Sequence, residues 1–108
     1  MIVLPLPPTT NHIWGYSHRG VYLRPEAKTW LAMAHFELKS KPRFILNGSL
    51  SVSVRFFLKR DRDVDNLKLL LDSMSGYVYK DDSQITELHI YKTKDKDCPR
   101  VEVEINQI

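Results

Sequence analysis

Residues 49–74 read SLSVSVRFFLKRDRDVDNLKLLLDSM, and the hydrophobic period changes inside this stretch. From Ser49 to Leu58 apolar and polar residues alternate, which predicts a β-strand with one buried face. From Leu67 the apolar residues are spaced three and four apart, which predicts a helix that ends near Gly76. Between them, residues 59–68 read KRDRDVDNLK, with aspartates at alternate positions. An acidic segment therefore separates a strand from a helix.

Weaker patterns on either side predict the remaining elements. They are an edge strand at 2–6, a polar and aromatic loop at 9–20, a helix at 25–39, and strands at 86–92 and 100–105 joined by a charged hairpin tip at 94–97. The order β-loop-α-β-α-β-β predicts an α+β fold, with a small mixed β-sheet and two main helices packed against it. At 108 residues, the chain is expected to form a single domain, residues 1–108.

Composition restricts the class of protein. Hydrophobic residues make up 43% and charged residues 27% of the chain, as in ordinary soluble domains. Since the single cysteine, Cys98, cannot form an internal disulfide, we expect a reducing, cytoplasmic setting. The first residues, MIVLPLPP, are too short and proline-rich for a signal peptide, and no apolar run approaches the roughly 18 residues of a membrane span.

The charges are unevenly distributed, although the formal net charge is only +3. Residues 39–68 hold eight Lys or Arg against three Asp, and residues 76–108 hold five against seven acidic residues. This asymmetry favours a basic face for a polyanion such as nucleic acid, although a solvated charged face gives the same pattern. The aromatic and donor side chains of 9–20, such as Trp14 and Tyr16, are suited either to stacking on unpaired bases or to covering the core.

The acidic segment is suited to phosphodiester chemistry. Asp63 and Asp65 project to one side if the strand continues, and clustered carboxylates suit Mg²⁺ or Mn²⁺. Lys68 is placed to share a helix face with Asp65 and to stabilise negative charge on a phosphate. Asp61, Asp63 and Asp65 also match the first positions of a calcium loop, but the glycine, apolar residue and glutamate of that loop are missing. One aspartate, Asp63 or Asp65, is expected to be the N-cap of the helix.

Three motifs resemble one known family. LPLPPTTNHIW near the N-terminus, DVDNLKLLLDSM at 63–74 and YKDDSQI at 79–85 resemble the RusA family of Holliday junction resolvases, in the same order and over nearly the whole chain. The resemblance implies a small α+β homodimer that binds four-way DNA junctions and nicks two strands symmetrically with Mg²⁺ or Mn²⁺. Members occur in bacteria and in their phages and prophages. They act in DNA recombination and repair.

The resemblance also implies residue roles. Asp63, Asp65 and Asp82 match the catalytic, metal-binding carboxylates, and Asp81 matches a less essential metal-binding neighbour. Lys68 matches the catalytic lysine, although the family usually places it one residue later, where Leu69 stands here. A deletion between Asn66 and Lys68 explains the shift. The DNA-binding candidates are Arg62 and Asn66, which flank the site, and the further polar or basic residues Lys59, Arg60, Asn11 and Arg19.

Alternatives to a resolvase remain open on the sequence alone. One is a protein that binds DNA junctions without cleavage, because its lysine is displaced. The other is a metal-dependent nuclease without preference for junctions. The surface that forms the dimer is also open, with Met33 and Phe36 or an edge strand as candidates.

Overall fold

The computed structural model describes residues 1–9, 14–41, 43–62, 64 and 66–108. Three predicted site residues, Asn11, Asp63 and Asp65, lie outside the described residues. The elements in chain order are β1 (Ile2–Leu4), β2 (Trp14–Ser17), β3 (Gly20–Leu23), α1 (Pro25–Ser40), β4 (Leu50–Leu58), α2 (Leu67–Met74), a 3₁₀ turn (Asp82–Gln84), β5 (Ile85–Lys94) and β6 (Arg100–Gln107). The predicted α+β class with a mixed sheet is confirmed.

The main sheet has the strand order β1-β6-β4-β5. Its centre is β4, which pairs antiparallel with β6 and parallel with β5, and β1 pairs antiparallel with the far side of β6. Because parallel strands run in the same direction, the chain must cross back from the end of the first strand to the edge of the sheet where that strand began. The connection from β4 to β5 contains α2, so the chain returns through this helix.

The predicted hairpin between β5 and β6 is wrong, because β4 lies between these strands. Their connection crosses the end of β4 instead. The backbone N–H of Asp95 donates to the carbonyl oxygen of Leu58 at 2.8 Å, and Cζ of Arg100 lies 3.7 Å from the ring centre of Phe57. Arg100 also forms ion pairs with Asp95 and Glu102 at 2.9 and 2.8 Å. These contacts hold the crossing segment against the end of β4.

One face of β4 forms the centre of the hydrophobic core, as its alternation predicts. The buried side chains of this face are Leu50, Val52, Val54, Phe56 and Leu58. The helices cover it with the buried residues Ala27, Trp30, Ala34 and Leu38 of α1 and Leu70, Leu71 and Met74 of α2. The indole Nε1 of Trp30 donates to the carbonyl oxygen of Pro5 at 2.9 Å, which ties α1 to the segment after β1. No helix of the described chain is long and apolar enough to span a membrane.

The edge strand β5 is less covered than its pattern predicts. Leu88 and Ile90 alternate with polar residues, and they pair with Val52 and Val54 of β4, so they lie on the core face of the sheet. They are nevertheless 39% and 41% exposed, because the helices pack over β4 and leave β5 open. The monomer therefore has an apolar strip along one edge.

The segment predicted as a loop at 9–20 contains a hairpin that continues to Leu23. β2 and β3 form a separate two-stranded antiparallel sheet in which Trp14 pairs with Leu23 and Ser17 with Gly20. Gly20 has φ +114°, a conformation that a tight turn requires and that glycine adopts without strain. The hairpin is not evident from the sequence, because its strands are only four residues long and apolar and polar residues do not alternate strictly in them.

Candidate active site

The first part of the site is the start of α2. Its N-cap is Asn66, which has a left-handed backbone with φ 61° and ψ 34°, a conformation that asparagine tolerates better than most residues. The prediction that Asp63 or Asp65 is the N-cap is therefore wrong. Lys68 follows as the second residue of α2, and Asp72 lies one turn further along the same face.

The second part is the 3₁₀ turn directly before β5. Asp81 forms a capping box with Gln84, and its Oδ2 accepts a hydrogen bond from Oγ of Ser83 at 2.6 Å. These bonds use the carboxylate of Asp81 inside the turn and leave Asp82 as the acidic residue that contacts α2. The lesser importance of Asp81 within the acidic pair stays a prediction.

Gln84 connects this turn to the loop before β4. Its Oε1 accepts from the backbone N–H groups of Lys80 and Asp81 at 2.9 and 3.2 Å. Its Nε2 donates to the carbonyl oxygens of Leu46 and Gly48 at 3.1 and 3.0 Å. One side chain therefore holds the acidic turn against the segment that leads into the central strand.

Lys68 joins the two parts. Its Nζ lies 2.9 Å from Oδ2 of Asp82 and 3.0 Å from Oδ1 of Asp72. The hydrogen bond from Lys68 lowers the pKa of the Asp82 carboxyl below its ordinary value, so that this group is ionised at neutral pH. The same bonds, to Asp82 and then Asp72, hold the pKa of the Lys68 ammonium above its ordinary range. The one-residue shift of the lysine thus does not prevent it from reaching Asp82.

Tyr79 lies under this ion-pair group. Its side chain is fully buried, and its hydroxyl donates to the carbonyl oxygen of Leu71 at 2.6 Å. Burial raises the pKa of this hydroxyl, and the negative charges of Asp82, Asp72 and Asp81 raise it further. Tyr79 therefore stays protonated and acts as a donor that fixes the segment before the acidic turn against α2.

A separate contact lies towards the other end of the sheet. Nζ of Lys92 is 3.0 Å from Oδ1 of Asp61 and 3.1 Å from the carbonyl oxygen of Arg62. Lys92 pairs with Phe56, near the end of β4, whereas the acidic turn precedes Ile85 at the start of β5. Asp61 therefore lies apart from Asp82. The strand before this segment also replaces the incoming helix of a calcium loop.

The remaining predicted DNA-binding residues are spread over the molecule. Lys59, Arg60 and Arg62 are exposed after β4, and Arg19 is exposed in the turn of the β2–β3 hairpin. Asn66 is half-buried at the start of α2. Asn11 lies outside the described residues.

Four residues of this region were missed by sequence inspection as parts of the site: Asp72, Tyr79, Gln84 and Lys92. The spacing of Asp72 from Lys68 is that of an ion pair along a helix, which is a usable signal. Tyr79 and Gln84 lie within the YKDDSQI motif, but the motif does not show which groups they contact, and no local pattern marks Lys92, whose partners Asp61 and Arg62 are distant in the chain.

The donor chemistry fits a hard divalent ion. Asp82 offers carboxylate oxygens, which Mg²⁺ and Mn²⁺ prefer, and its low pKa keeps it ionised. Within the described residues, no group of three or more His, Cys, Asp or Glu is placed to hold a metal. Two of the predicted ligands, Asp63 and Asp65, lie outside those residues. The assignment of metal ligands to Asp63, Asp65, Asp82 and Asp81 thus stays a prediction.

Comparison with known proteins identifies the family. A search of curated proteins gives no match. The family model described as Endodeoxyribonuclease RusA matches residues 5–106, which is almost the whole chain and includes α2, the acidic turn, β4, β5 and all of β6 except its last residue. The chain therefore belongs to the RusA family of Holliday junction resolvases.

Proposed function

We propose that this protein is a Mg²⁺- or Mn²⁺-dependent endodeoxyribonuclease that resolves Holliday junctions in DNA recombination and repair. The observation that carries the proposal is the contact between Lys68 and Asp82, at 2.9 Å. It brings a cation on α2 against a carboxylate of the acidic turn, and both residues match the catalytic pattern of the family.

Asp63, Asp65 and Asp82, with Asp81 as a weaker contributor, are the residues that would hold the ion. A bound divalent ion would neutralise charge on the scissile phosphate and lower the pKa of a coordinated water. The ionised state of Asp82 at neutral pH supports this assignment, because a metal ligand of this type must be deprotonated.

Lys68 would stabilise the negative charge that builds up on the phosphate during cleavage. Its ammonium is exposed beside Asp82 and is positioned by a second bond, to Asp72 on its own helix. If Asp82 turns to a metal ion, the Asp72 contact still holds the ammonium at the site. A preorganised cation of this kind stabilises a transition state more than a mobile one does.

We propose further that the protein acts as a homodimer. Resolution of a four-way junction without a broken arm needs two nicks related by symmetry, which an isologous pair of sites supplies. Two exposed apolar surfaces are candidates for the contact. One is formed by Met33 and Phe36 of α1, and the other by Leu88 and Ile90 of β5.

The test is cleavage of a synthetic four-way junction with Mg²⁺ or Mn²⁺, compared with linear duplex and flap substrates. We expect paired symmetric nicks in the junction only, and loss of cleavage in Asp82→Asn. Asp97→Asn, which changes an exposed carboxylate in the β5–β6 connection, is the matched control and should cut like the parent.

Three outcomes would contradict the proposal. An Asp82→Asn variant as active as the parent would refute the role of the acidic turn. Equal cutting of all three substrates would indicate a nuclease without junction preference. Binding of the junction in EDTA without cleavage in either metal would indicate a junction-binding protein.

A further inference from the structure

The β2–β3 hairpin, residues 14–23, has one open aromatic face. Trp14 pairs with Leu23 and Tyr16 with Val21, so these four side chains lie on the same side of the ribbon. Trp14 is 49% and Tyr16 80% exposed. In the described part of the chain, this ribbon forms a sheet of its own and is not an extension of the main sheet.

On the other face of the hairpin, the ring of Tyr22 packs over Gly15, where an added Cβ would overlap this ring, while the outer part of Tyr22 is exposed. Gly15 is buried by this contact. The turn is fixed as well, because Oγ of Ser17 donates to the carbonyl oxygen of Gly20 and accepts from the backbone N–H of Arg19. The hairpin therefore presents its open face on a defined frame.

An isolated two-stranded hairpin has little stability in water, and large exposed aromatic side chains favour contact with a partner. The charge of the segment indicates which partner. Residues 14–23 contain no Asp or Glu but include His18 and Arg19. By contrast, the exposed Met33 and Phe36 of α1 line a groove that contains both Glu37 and Arg100, and so has no excess of positive charge. The hairpin is thus the aromatic surface with the charge that suits a polyanion.

We propose that the open face of the hairpin binds unpaired bases at the branch point of a DNA junction. Trp14 and Tyr16 stack on the bases, while Arg19 at the turn contacts a phosphate. Aromatic rings stack on any base without reading its sequence, which suits recognition of DNA structure. This inference rests on the proposed function for the identity of the DNA, and its test is independent of cleavage.

The two tryptophans make the test specific. Trp14 is half-exposed, whereas Trp30 is 4% exposed and bonded through Nε1 to the carbonyl oxygen of Pro5. Acrylamide should therefore quench Trp14 selectively. In Asp82→Asn protein with EDTA, addition of a four-way junction should protect Trp14 from acrylamide, and 2-aminopurine at the branch point should become quenched. A linear duplex of the same sequence should produce neither change.

Variants then assign the effect to the open face. Tyr16→Ala and Trp14→Ala should each weaken junction binding about ten-fold. Phe44→Ala, which removes a 93% exposed aromatic ring from the loop before β4, is the matched control and should bind like the parent. Because Tyr16 is among the most exposed residues of the chain, its replacement is not expected to unfold the protein.

The outcomes separate this inference from the proposed function. If Trp14 is not protected and both variants bind and cut like the parent, the hairpin inference is wrong while the nuclease proposal stands. If the junction protects Trp14 but the parent protein does not cut it in metal, the nuclease proposal fails and the hairpin inference stands. If Tyr16→Ala converts a dimer to monomers in sedimentation, the face is a subunit contact and the inference is refuted.

Discussion

Gln84 offers the sharpest test of how the acidic turn is positioned. The four hydrogen bonds of its side chain connect the backbone of Lys80 and Asp81 to the carbonyl oxygens of Leu46 and Gly48. Replacement by alanine removes all four. The acidic turn then loses its side-chain connection to the loop before β4, and Asp82, which follows Asp81 directly, is expected to move relative to α2.

The expected loss of stability is moderate. A hydrogen bond in a protein contributes roughly 0.5–1.5 kcal/mol net, so four would reach about 4 kcal/mol. Three of these bonds are exposed, and water replaces exposed bonds in the variant. We therefore expect Gln84→Ala to lower the free energy of unfolding by about 1–2 kcal/mol. The effect on cleavage should be larger, because a misplacement of about 1 Å in a catalytic group can cost on the order of 100-fold in rate.

Two further variants make the experiment interpretable. Gln107 also donates through Nε2 to the loop before β4, to the carbonyl oxygen of Asn47 at 3.3 Å. Gln107→Ala therefore removes a similar bond to that loop without touching the acidic turn. Gln84→Glu keeps an oxygen that accepts from the N–H groups of Lys80 and Asp81. It replaces the Nε2 donor by a second oxygen, which faces the carbonyl oxygens of Leu46 and Gly48 and repels them. Its cleavage rate should therefore resemble that of Gln84→Ala.

The assay combines urea unfolding with junction cleavage at a temperature where every variant is fully folded. We expect Gln107→Ala to cut at nearly the parental rate, and both Gln84 variants to cut far more slowly. The reasoning is refuted if Gln84→Ala cuts as fast as Gln107→Ala. It is refuted equally if its loss of rate is fully explained by unfolded protein.

Three other predictions follow from the ionisable groups. Tyr79→Phe should lower the free energy of unfolding by about 1–3 kcal/mol in urea titrations, because it leaves a buried carbonyl of α2 without its hydroxyl donor. In Lys68→Met, the pKa of Asp82 should rise towards its ordinary value, measured by carboxyl ¹³C NMR without metal, since the ammonium bond that lowers it is gone. Arg100 lowers the pKa of Asp95, so Asp95 stabilises the fold above its ordinary value of 3.8, and this contribution is lost as the pH falls through the lowered value. Asp95→Asn should therefore flatten the acid side of the thermal stability profile measured by circular dichroism.

The sequence correctly predicted the helices and strands in which a hydrophobic pattern continues over several residues. Leu50–Leu58 alternates over nine residues and forms the predicted strand, and the apolar spacing after Asn66 forms the predicted helix. The N-cap was mispredicted because aspartate and asparagine are about equally favoured as caps, and here the backbone enters the helix through a left-handed asparagine. Local statistics cannot show such a turn without the three-dimensional path of the chain.

The pairing of strands was harder to predict, and the site depends on it. Strands that are adjacent in sequence usually pair, which favours a hairpin between β5 and β6. Instead β4 lies between them, with the buried Val101 and Val103 of β6 on one side and the less covered β5 on the other. The contacts of Gln84 and Lys92 follow from this arrangement, and the motif alone does not reveal them.

The parallel pairing of β4 with β5 decides which acids can meet. Lys92 lies opposite Phe56, six residues along β4 from Leu50, where β5 starts. At about 3.3 Å per residue, the contact of Asp61 with Lys92 is separated from the acidic turn by roughly 20 Å along the sheet. If β5 ran antiparallel to β4, the first residues of β5 would lie beside the end of β4, and Asp82 would lie there with them. Because the chain instead returns through α2 before β5 starts, Lys68 at the start of this helix reaches Asp82, which directly precedes β5 in the acidic turn.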